Sequence, residues 1–455
     1  MKEDNPQGHQ KSLHPVSFEN IKADTIIIGF TGALGSGCTY FAKSLKQFHG
    51  YHYLSLSKHI KAELPENSSP EELQDKGNEI RLSEGNDVLV WKALIDAEHS
   101  IEDDSGKVKL VIDGIRNAGE VATLRQFPNF FLFSVQAEEE ERKKRLLESN
   151  KCNDHDHFKH LDERDADERI EHGQQVKKCN YLSDIIINND EVATDKDHST
   201  YRTYTEHKLF NRFVTFIEGA AQGRRDFSHF PSEEETLMTM AYAESKKSKC
   251  IKRKVGAVIT TADELVLSIG YNNPPDDVSC LDHPDYKWCA RDVLMEKYGA
   301  SLYHCPVCGA KISIEETCRH CGEKLTKYSR RCPHCDHDPS IEYLCPECNT
   351  NIFKEYLPGG KAETGKMLDL CRSLHAEENA ILNLCRAGIS ANQAKKIYTT
   401  AFPCNLCANK ILKLGIKEVV YSEPYVTKEA EKVLSSINTK RFEGVKSSAF
   451  FRIFS

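Results

Sequence analysis

The stretch TIIIGFTGALGSGCTYFAKSLKQF, residues 25–48, decides the fold of the first half of the chain. Its apolar run TIIIGF has the length and composition of a buried strand, and CTYFAKSLKQF has the pattern of a helix. The loop between them, GALGSGCT at residues 32–39, has the spacing G-x-x-x-x-G-K-[ST], except that Cys38 stands at the lysine position. That spacing is typical of a phosphate-binding loop (P-loop), whose backbone N–H groups surround a phosphate. The stretch predicts a strand, a phosphate-binding loop and a helix.

Further strands follow this loop. The apolar runs KLVIDGIRN, FFLFSVQA and YLSDIIINN alternate with helix-like segments, and such alternation predicts a parallel sheet with helices on both faces. We expect residues 1–20 to be a flexible tail and residues 21–220 to form this P-loop parallel-sheet domain. A second α/β domain is expected over residues 231–455, after a polar linker. The predicted fold class is therefore α/β in both halves.

Seven residues of the first domain are predicted to contact a nucleotide: Gly32, Gly35, Ser36, Gly37, Cys38, Thr39 and Asp113. The glycines let backbone N–H groups approach phosphate closely. Thr39 is placed to meet Mg²⁺, and Asp113 is placed to support that ion. A thiol at position 38 cannot neutralise phosphate charge as a loop lysine does during phosphoryl transfer. The loop therefore predicts nucleotide binding with poor or no kinase activity, and a glycine turn without a ligand is the alternative.

Composition restricts the class of protein. The chain has 455 residues, 39% hydrophobic and 29% charged, which is typical of globular domains. Its apolar runs are too short to span a bilayer and its N-terminus does not resemble a signal peptide, so we expect a cytoplasmic protein without a membrane segment. The net charge of −8 argues against a general nucleic-acid binder. Many of the 18 cysteines form C-x-x-C pairs, which favours metal binding over disulfides.

The strongest chemical signal is His375-Ala376-Glu377, followed after 25 residues by Pro403-Cys404-Asn405-Leu406-Cys407. This is the H-x-E…P-C-x-x-C pattern of zinc deaminases. His375, Cys404 and Cys407 would give Zn²⁺ three ligands and leave a fourth position for water, whose pKa the metal lowers to about 7. Glu377 would move protons as the general acid and base. A closed zinc site that only stabilises the fold is the alternative.

On these residues the second domain resembles the deoxycytidylate deaminase family. The resemblance covers most of residues 236–425 and includes KVGAVI, GYNNPP, HAEENAI, FPCNLCANKIL and GIKEVVY. It implies a cytidine-deaminase-type α/β/α domain. It also implies substrate contacts from a small set of residues, with either of two tyrosines closing the base pocket: Asn272, Ala376, Tyr421, Tyr425, Lys246 and Arg253. For the basic run that holds Lys246 and Arg253, a solvated surface is the alternative.

An insert over residues 303–350 interrupts this domain. It contains C-x2-C-x9-C-x2-C twice, the pattern of tandem zinc ribbons: Cys305, Cys308, Cys318, Cys321, Cys332, Cys335, Cys345 and Cys348. Each ribbon can hold a structural Zn²⁺ in a Cys₄ tetrahedron. Crossed pairing of the ribbons and a disulfide framework are the alternatives. A further zinc site is an open question for four residues between 280 and 371: Cys280, His283, Cys289 and Cys371.

The first domain resembles the deoxynucleotide monophosphate kinase group over residues 24–190. The likeness rests on DGIRN at 113–117, GNEIR at 77–81, and Arg142 and Arg145. The fusion of the two domains resembles bacterial antiphage deoxycytidylate deaminases. That resemblance implies action on dCTP and dCMP, an antiphage role, a homo-oligomer (a hexamer, as in other family members) and an inhibitory RNA partner.

The sequence therefore predicts zinc-dependent hydrolytic deamination of free dCTP or dCMP, regulated by a nucleotide in the first domain. The main alternative is a deaminase of single-stranded DNA or tRNA that uses the ribbons as a clamp, which the acidic net charge disfavours. A nucleotide-regulated binding or toxin scaffold and a simple nucleotide kinase are further hypotheses. Cys38 weighs against the kinase.

Overall fold

The computed structural model describes most of the chain outside the predicted tail and ribbons: residues 21–22, 24–101, 108–166, 168, 170–190, 207–221, 230–299, 371–423, 428–446 and 449–450. These residues fall into two compact units. The first takes the described residues of Met1–Ala243, Val258–Val266 and Asn392–Ser455, and the second takes those of Glu244–Ala257 and Leu267–Ala391. The predicted tail and the ribbon insert over 303–350 lie outside the described residues.

The described helices are α1 Cys38–His49, α2 Leu56–Lys61, α3 Pro70–Glu84, α4 Val88–Ser100, α5 Ala118–Leu124, α6 Glu139–Glu148, α7 His155–Ala166, α8 Val176–Leu182, α9 Lys208–Ala221, α10 Glu233–Ser245, α11 Ala290–Gly299, α12 Ala376–Arg386, α13 Asn405–Leu414 and α14 Lys428–Leu434. The described strands are β1 Ile26–Thr31, β2 His52–Ser55, β3 Lys109–Asp113, β4 Phe130–Gln136, β5 Ile185–Asn188, β6 Gly256–Thr260, β7 Val266–Tyr271, β8 Lys396–Ala401, β9 Glu418–Glu423, β10 Asn438–Arg441 and β11 Gly444–Val445.

The first sheet has six strands in the order β11-β5-β4-β1-β3-β2. Strands β1 to β5 pair in parallel, and β11 pairs antiparallel with β5. The predicted α/β class with a parallel sheet is confirmed. Two strands of this sheet were not predicted: β2 is only partly buried, and β11 has two residues and no apolar run.

Strand β1 lies at the centre of this sheet and is buried on both faces. Ile26, Ile28 and Phe30 join one hydrophobic cluster, whereas Ile27 joins the other. Because both faces are covered, every residue of the strand is buried and its sequence is a continuous apolar run.

Helix α1 begins directly after the glycine-rich loop. Gly37 precedes it with φ 103°, and Gly50 ends it with φ 69°. Both values lie in the left-handed region that glycine adopts without a Cβ penalty. The two glycines therefore fix where the helix starts and stops.

The second sheet has five strands in the order β10-β9-β8-β6-β7. Strand β9 pairs in parallel with β8 and with β10. Within the first unit, the chain then leaves β10 and enters β11 through only Phe442 and Glu443. Two residues thus carry the chain from the second sheet to the edge of the first.

Helix α12 packs on β7 within the second unit. Asn379 donates its side-chain amide to the carbonyl of Tyr271 at 2.7 Å, and Ser268 donates its hydroxyl to the carbonyl of Ala380 at 2.8 Å. Gly270 lies under the helix, where a Cβ would come within 2.3 Å of the backbone nitrogen of Ala380. Small and polar residues on β7 therefore hold the helix close to the strand.

Among the described residues, no helix is both long and apolar enough to cross a membrane.

Candidate active site

His375 and Glu377 stand at the start of α12. His375 is the residue before the helix, with extended backbone, and the Glu378 carboxylate accepts from its N–H at 3.4 Å. Glu377 lies in the first turn and is 4% exposed, and Ala376 is fully buried. The close packing of α12 on β7 therefore fixes a histidine and a buried carboxylate two residues apart.

Cys404 and Cys407 stand at the start of α13. Cys404 precedes the helix with extended backbone and its carbonyl accepts the N–H of Ala408 at 2.8 Å. Cys407 lies one turn further and is buried. Helix N-termini favour negative charge, so this position suits thiolate ligands.

The structure brings the three predicted metal ligands together. The ligand atoms of His375, Cys404 and Cys407 all lie within 4.8 Å of one another. In a tetrahedral site with Zn–S of about 2.3 Å and Zn–N of about 2.0 Å, neighbouring ligand atoms are roughly 3.5 Å apart. One imidazole and two thiols at this spacing fit Zn²⁺ with a fourth position left open.

In the described part of the chain, no second group of three potential ligands meets the same distance limit. The extra site considered for Cys280, His283, Cys289 and Cys371 is therefore not assembled at ligand distances. Burial raises the pKa of Cys371, and Cys250 and Cys289 raise it further, so these thiols are neighbours. All eight ribbon cysteines lie outside the described residues.

The predicted substrate residues have different surroundings. Asn272 is 7% exposed; its side-chain oxygen accepts from the N–H of Val255 at 2.7 Å and its amide donates to the carbonyl of Arg253 at 2.8 Å. The side chain thus holds the backbone that follows the basic run. Lys246 is exposed and Arg253 is half-buried. Tyr425 lies outside the described residues.

Tyr421 lies on β9 beside the loop that carries the cysteines. Its ring meets the ring of Phe402 edge-on, with centroids 4.8 Å apart, and both residues are 7% exposed. Phe402 is two residues before Cys404. Burial raises the pKa of the Tyr421 hydroxyl, Arg441 lowers it, and Glu138 and Asp190 raise it again. Sequence reasoning identified Tyr421 but gave no role to Phe402, the first residue of FPCNLCANKIL, or to Arg441, which lies in none of the quoted motifs.

The GALGSGCT loop has the backbone shape that its glycines predict. Gly35 and Gly37 have φ of 81° and 103°, where other residues are strained. Arg142 donates to the carbonyl of Leu34 at 3.2 Å, and Arg145 donates to the carbonyl of Gly35 at 3.1 Å. These two arginines therefore support the loop backbone in this structure.

The side chain of Asp165 accepts a hydrogen bond from the backbone of this loop. The N–H of Leu34 donates to the Asp165 side chain at 3.1 Å, and Asp165 pairs with Arg116. Burial raises the pKa of Asp165, whereas Arg116 and the Leu34 N–H favour its ionised form. The buried Asp165 carboxylate thus accepts from a loop N–H, the kind of donor that a bound phosphate would also use.

The other predicted nucleotide contacts surround the same loop. Cys38 keeps part of its surface exposed, but the burial of its thiol raises the pKa to about 12, with a further contribution from Asp113. Asp113 ends β3 next to β1 and accepts the hydroxyl of Tyr53 at 2.8 Å. Thr39 is exposed. The contacts of these residues with a nucleotide remain predictions.

Comparison with known proteins agrees with the metal centre. Residues 231–423 match the family model of the cytidine and deoxycytidylate deaminase zinc-binding region. Deoxycytidylate deaminase of Enterobacteria phage T4 is 30% identical over 192 residues, which are 42% of this chain and 77% of the phage protein. Deoxycytidylate deaminase of Schizosaccharomyces pombe is 29% identical over 195 residues, which are 43% of this chain but only 38% of the yeast protein.

Solved structures align with parts of the chain at low TM-scores. The dCMP deaminase from the cyanophage S-TIM5 aligns with a TM-score of 0.23 and 16% identity, over 47% of this chain and 100% of that chain. Shikimate kinase from Aquifex aeolicus aligns with a TM-score of 0.25 and 14% identity, over 44% of this chain and 99% of that chain. On the family model and the phage T4 relative, the chain belongs to the cytidine and deoxycytidylate deaminase family, a family of hydrolases.

Proposed function

We propose that the protein deaminates a free deoxycytidine nucleotide, converting dCMP or dCTP and water to the uracil nucleotide and ammonia. One observation carries the proposal: a buried carboxylate, Glu377, lies two residues from His375, whose ligand nitrogen is grouped with the sulfurs of Cys404 and Cys407. The deoxycytidylate deaminases among the relatives support the choice of substrate class.

His375, Cys404 and Cys407 would hold the zinc ion. When bound, zinc supplies an acidified water molecule as the nucleophile at neutral pH. Glu377 would take one proton from the attacking water and deliver it to ring nitrogen N3, which makes C4 a better electrophile. It then passes the second proton to the amino group, which leaves as ammonia. Burial of Glu377 keeps this carboxylate away from bulk water during both transfers.

The direct test compares the chain with its Glu377→Gln variant for ammonia release from dCMP and dCTP. The amide cannot move protons, so we expect kcat to fall by at least about 10²-fold while the zinc content stays unchanged. His375→Ala serves as the control that loses both zinc and activity. Full activity in Glu377→Gln would refute this mechanism. Conversion of cytosine in single-stranded DNA or tRNA, with none in free nucleotides, would favour the nucleic-acid alternative.

We further propose that the GALGSGCT loop binds a nucleotide with Mg²⁺ and thereby sets the deaminase rate. Left-handed Gly35 and Gly37, the exposed Thr39 and the carboxylate of Asp113 support this second site. A ligand regulates only if it binds two states of the protein with different affinity. Deamination measured against each added dNTP, with Thr39→Ala as the comparison, tests the proposal. Unchanged regulation in that variant would place the effector elsewhere.

The resemblance to antiphage deaminases supports a cellular role that depletes dCTP during infection, within the cytoplasm. It likewise supports a homo-oligomer and an inhibitory RNA. Sedimentation of the purified chain measures the oligomer, and phage titres on cells expressing wild type or Glu377→Gln test the role. Equal titres in the two strains would argue against antiphage deamination.

A further inference from the structure

Arg441 is a buried cation at the end of β10 that pairs with two carboxylates of the first sheet's loops. It is 8% exposed and contacts both Asp190 and Glu138, the latter at 3.3 Å from Nε. Asp190 also accepts the N–H of Glu138 at 2.8 Å. The guanidinium contacts Glu138 through Nε and Asp190 through one terminal nitrogen. Because these nitrogens lie in one rigid plane, the two contacts hold the guanidinium in one orientation.

Arg441 is also next to Tyr421, which is predicted to contact the substrate. Arg441 lies directly opposite Tyr421 in the β10–β9 register. Tyr421 contacts the ring of Phe402, and the N–H of Phe402 donates to the carbonyl of Glu423 at 2.9 Å. Phe402 is separated from Cys404 by Pro403, whose ring restricts the backbone. Tyr421 and Phe402 thus connect Arg441 to the metal ligand Cys404.

The carboxylates that hold Arg441 belong to the same segments that hold the GALGSGCT loop. Asn189, next to Asp190, donates its side-chain amide to the carbonyl of Ser36 at 2.7 Å. Arg145 links the segment that contains Asn189 to the GALGSGCT loop, since it donates to the carbonyls of Asn189 at 2.6 Å and Gly35 at 3.1 Å. A Cβ on Gly37 would lie 2.3 Å from the Asn189 amide nitrogen, so this approach requires glycine.

We propose that Arg441 is a positioning residue for the deaminase site: held by Asp190 and Glu138, it fixes Tyr421 and Phe402 and through them the loop that carries Cys404. The same segment fixes the glycine-rich loop, so the loop and the metal ligand share one support. The assignment of a catalytic step to this site rests on the proposed function above; the support of the metal ligand does not.

The test compares wild type with Arg441→Met, which keeps much of the side-chain volume but loses the fork. Two properties are measured: kcat and KM for dCMP, and the rate of zinc release to a chromogenic chelator. Zinc released from this site is identified by comparison with Cys407→Ala, a variant expected to lack that zinc ion. Because supports of metal ligands typically contribute tenfold or more, we expect about a tenfold faster release and about a tenfold lower kcat, with KM nearly unchanged.

Arg125→Met is the matched control. Arg125 forms a bidentate pair with Asp184 at 2.7 and 2.8 Å, within the first sheet's domain. Loss of that pair lowers stability but leaves zinc release and kcat near wild type. Arg441→Lys keeps the charge without the fork, and we expect it to lie between wild type and Arg441→Met; it also serves if Arg441→Met does not fold.

Zinc release and kcat in Arg441→Met and Arg441→Lys equal to those in Arg125→Met would overturn the proposal. If the wild-type chain shows no deamination, the proposed function fails, while the zinc-release comparison still decides the role of Arg441. Asp190→Asn provides an independent comparison, since it removes the negative charge of one partner of Arg441 and lies outside the second sheet. We expect it to change zinc release in the same direction as Arg441→Met.

Discussion

The substitution Gly270→Ala tests whether the packing of β7 under α12 sets the position of Glu377, the carboxylate proposed to be catalytic. An added Cβ would lie 2.3 Å from the backbone nitrogen of Ala380 and 2.5 Å from the carbonyl oxygen of Ala376. Ordinary contacts begin near 3.4 Å. Both close atoms belong to the backbone of α12, so no side chain can rotate away. The helix must move by about 1 Å at its first turns, a shift that overpacking forces on a rigid core.

This movement has two expected consequences. Overpacking costs about 1–3 kcal/mol of the free energy of unfolding, and it strains the hydrogen bonds of Ser268, Asn379 and Asn383 to α12 and β7. Glu377 lies in the first turn of α12 and His375 directly precedes it. A displacement of these residues by about 1 Å is therefore expected to lower kcat by about 10²-fold.

The assay measures kcat for dCMP together with urea unfolding. Gly77→Ala is the matched control: it makes the same chemical change inside α3, where the nearest atom is the flexible end of Ile60 at 3.1 Å. We expect this control to keep kcat. Wild-type kcat and stability in Gly270→Ala would refute the argument that the strand sets the position of Glu377.

Two further outcomes follow from buried groups of the first domain. The pKa of Cys38 is raised to about 12, and thiolate is the reactive form of cysteine. We therefore expect iodoacetamide at pH 8 to alkylate Cys38 far more slowly than the exposed Cys385. Equal labelling of the two cysteines by peptide mass spectrometry would contradict this. Arg81→Met removes the partner of the fully buried Glu120, which Arg81 contacts at 2.8 Å. The N–H groups of Arg116 and Asn117 still donate to that carboxylate, but we expect the free energy of unfolding, measured in urea, to fall by about 3 kcal/mol. A decrease below about 1 kcal/mol would show that the ion pair contributes little.

Local patterns were sufficient for the parts of the site that are encoded by spacing. The strand before the GALGSGCT loop is a continuous apolar run because it is covered on both faces. His375 and Glu377 are two residues apart and Cys404 and Cys407 three apart, so the motif could be identified from the sequence, and the structure places each pair at a helix start. Strand β2 was not found, since its residues are partly exposed and lack a clear period.

By itself, the sequence was enough to predict a metal-ligand set, a general acid and base, and a loop shape that needs left-handed glycines, because these predictions depend on residue type at short spacing. Only the tertiary structure decided what supports them. Leu34 meets Asp165 across 131 residues of chain, and Arg441 meets Asp190 across 251. No local preference encodes such contacts. The second one forms where β10 leads through two residues into β11 at the edge of the first sheet. The support of the site by Arg441 therefore became visible only once the chain was folded.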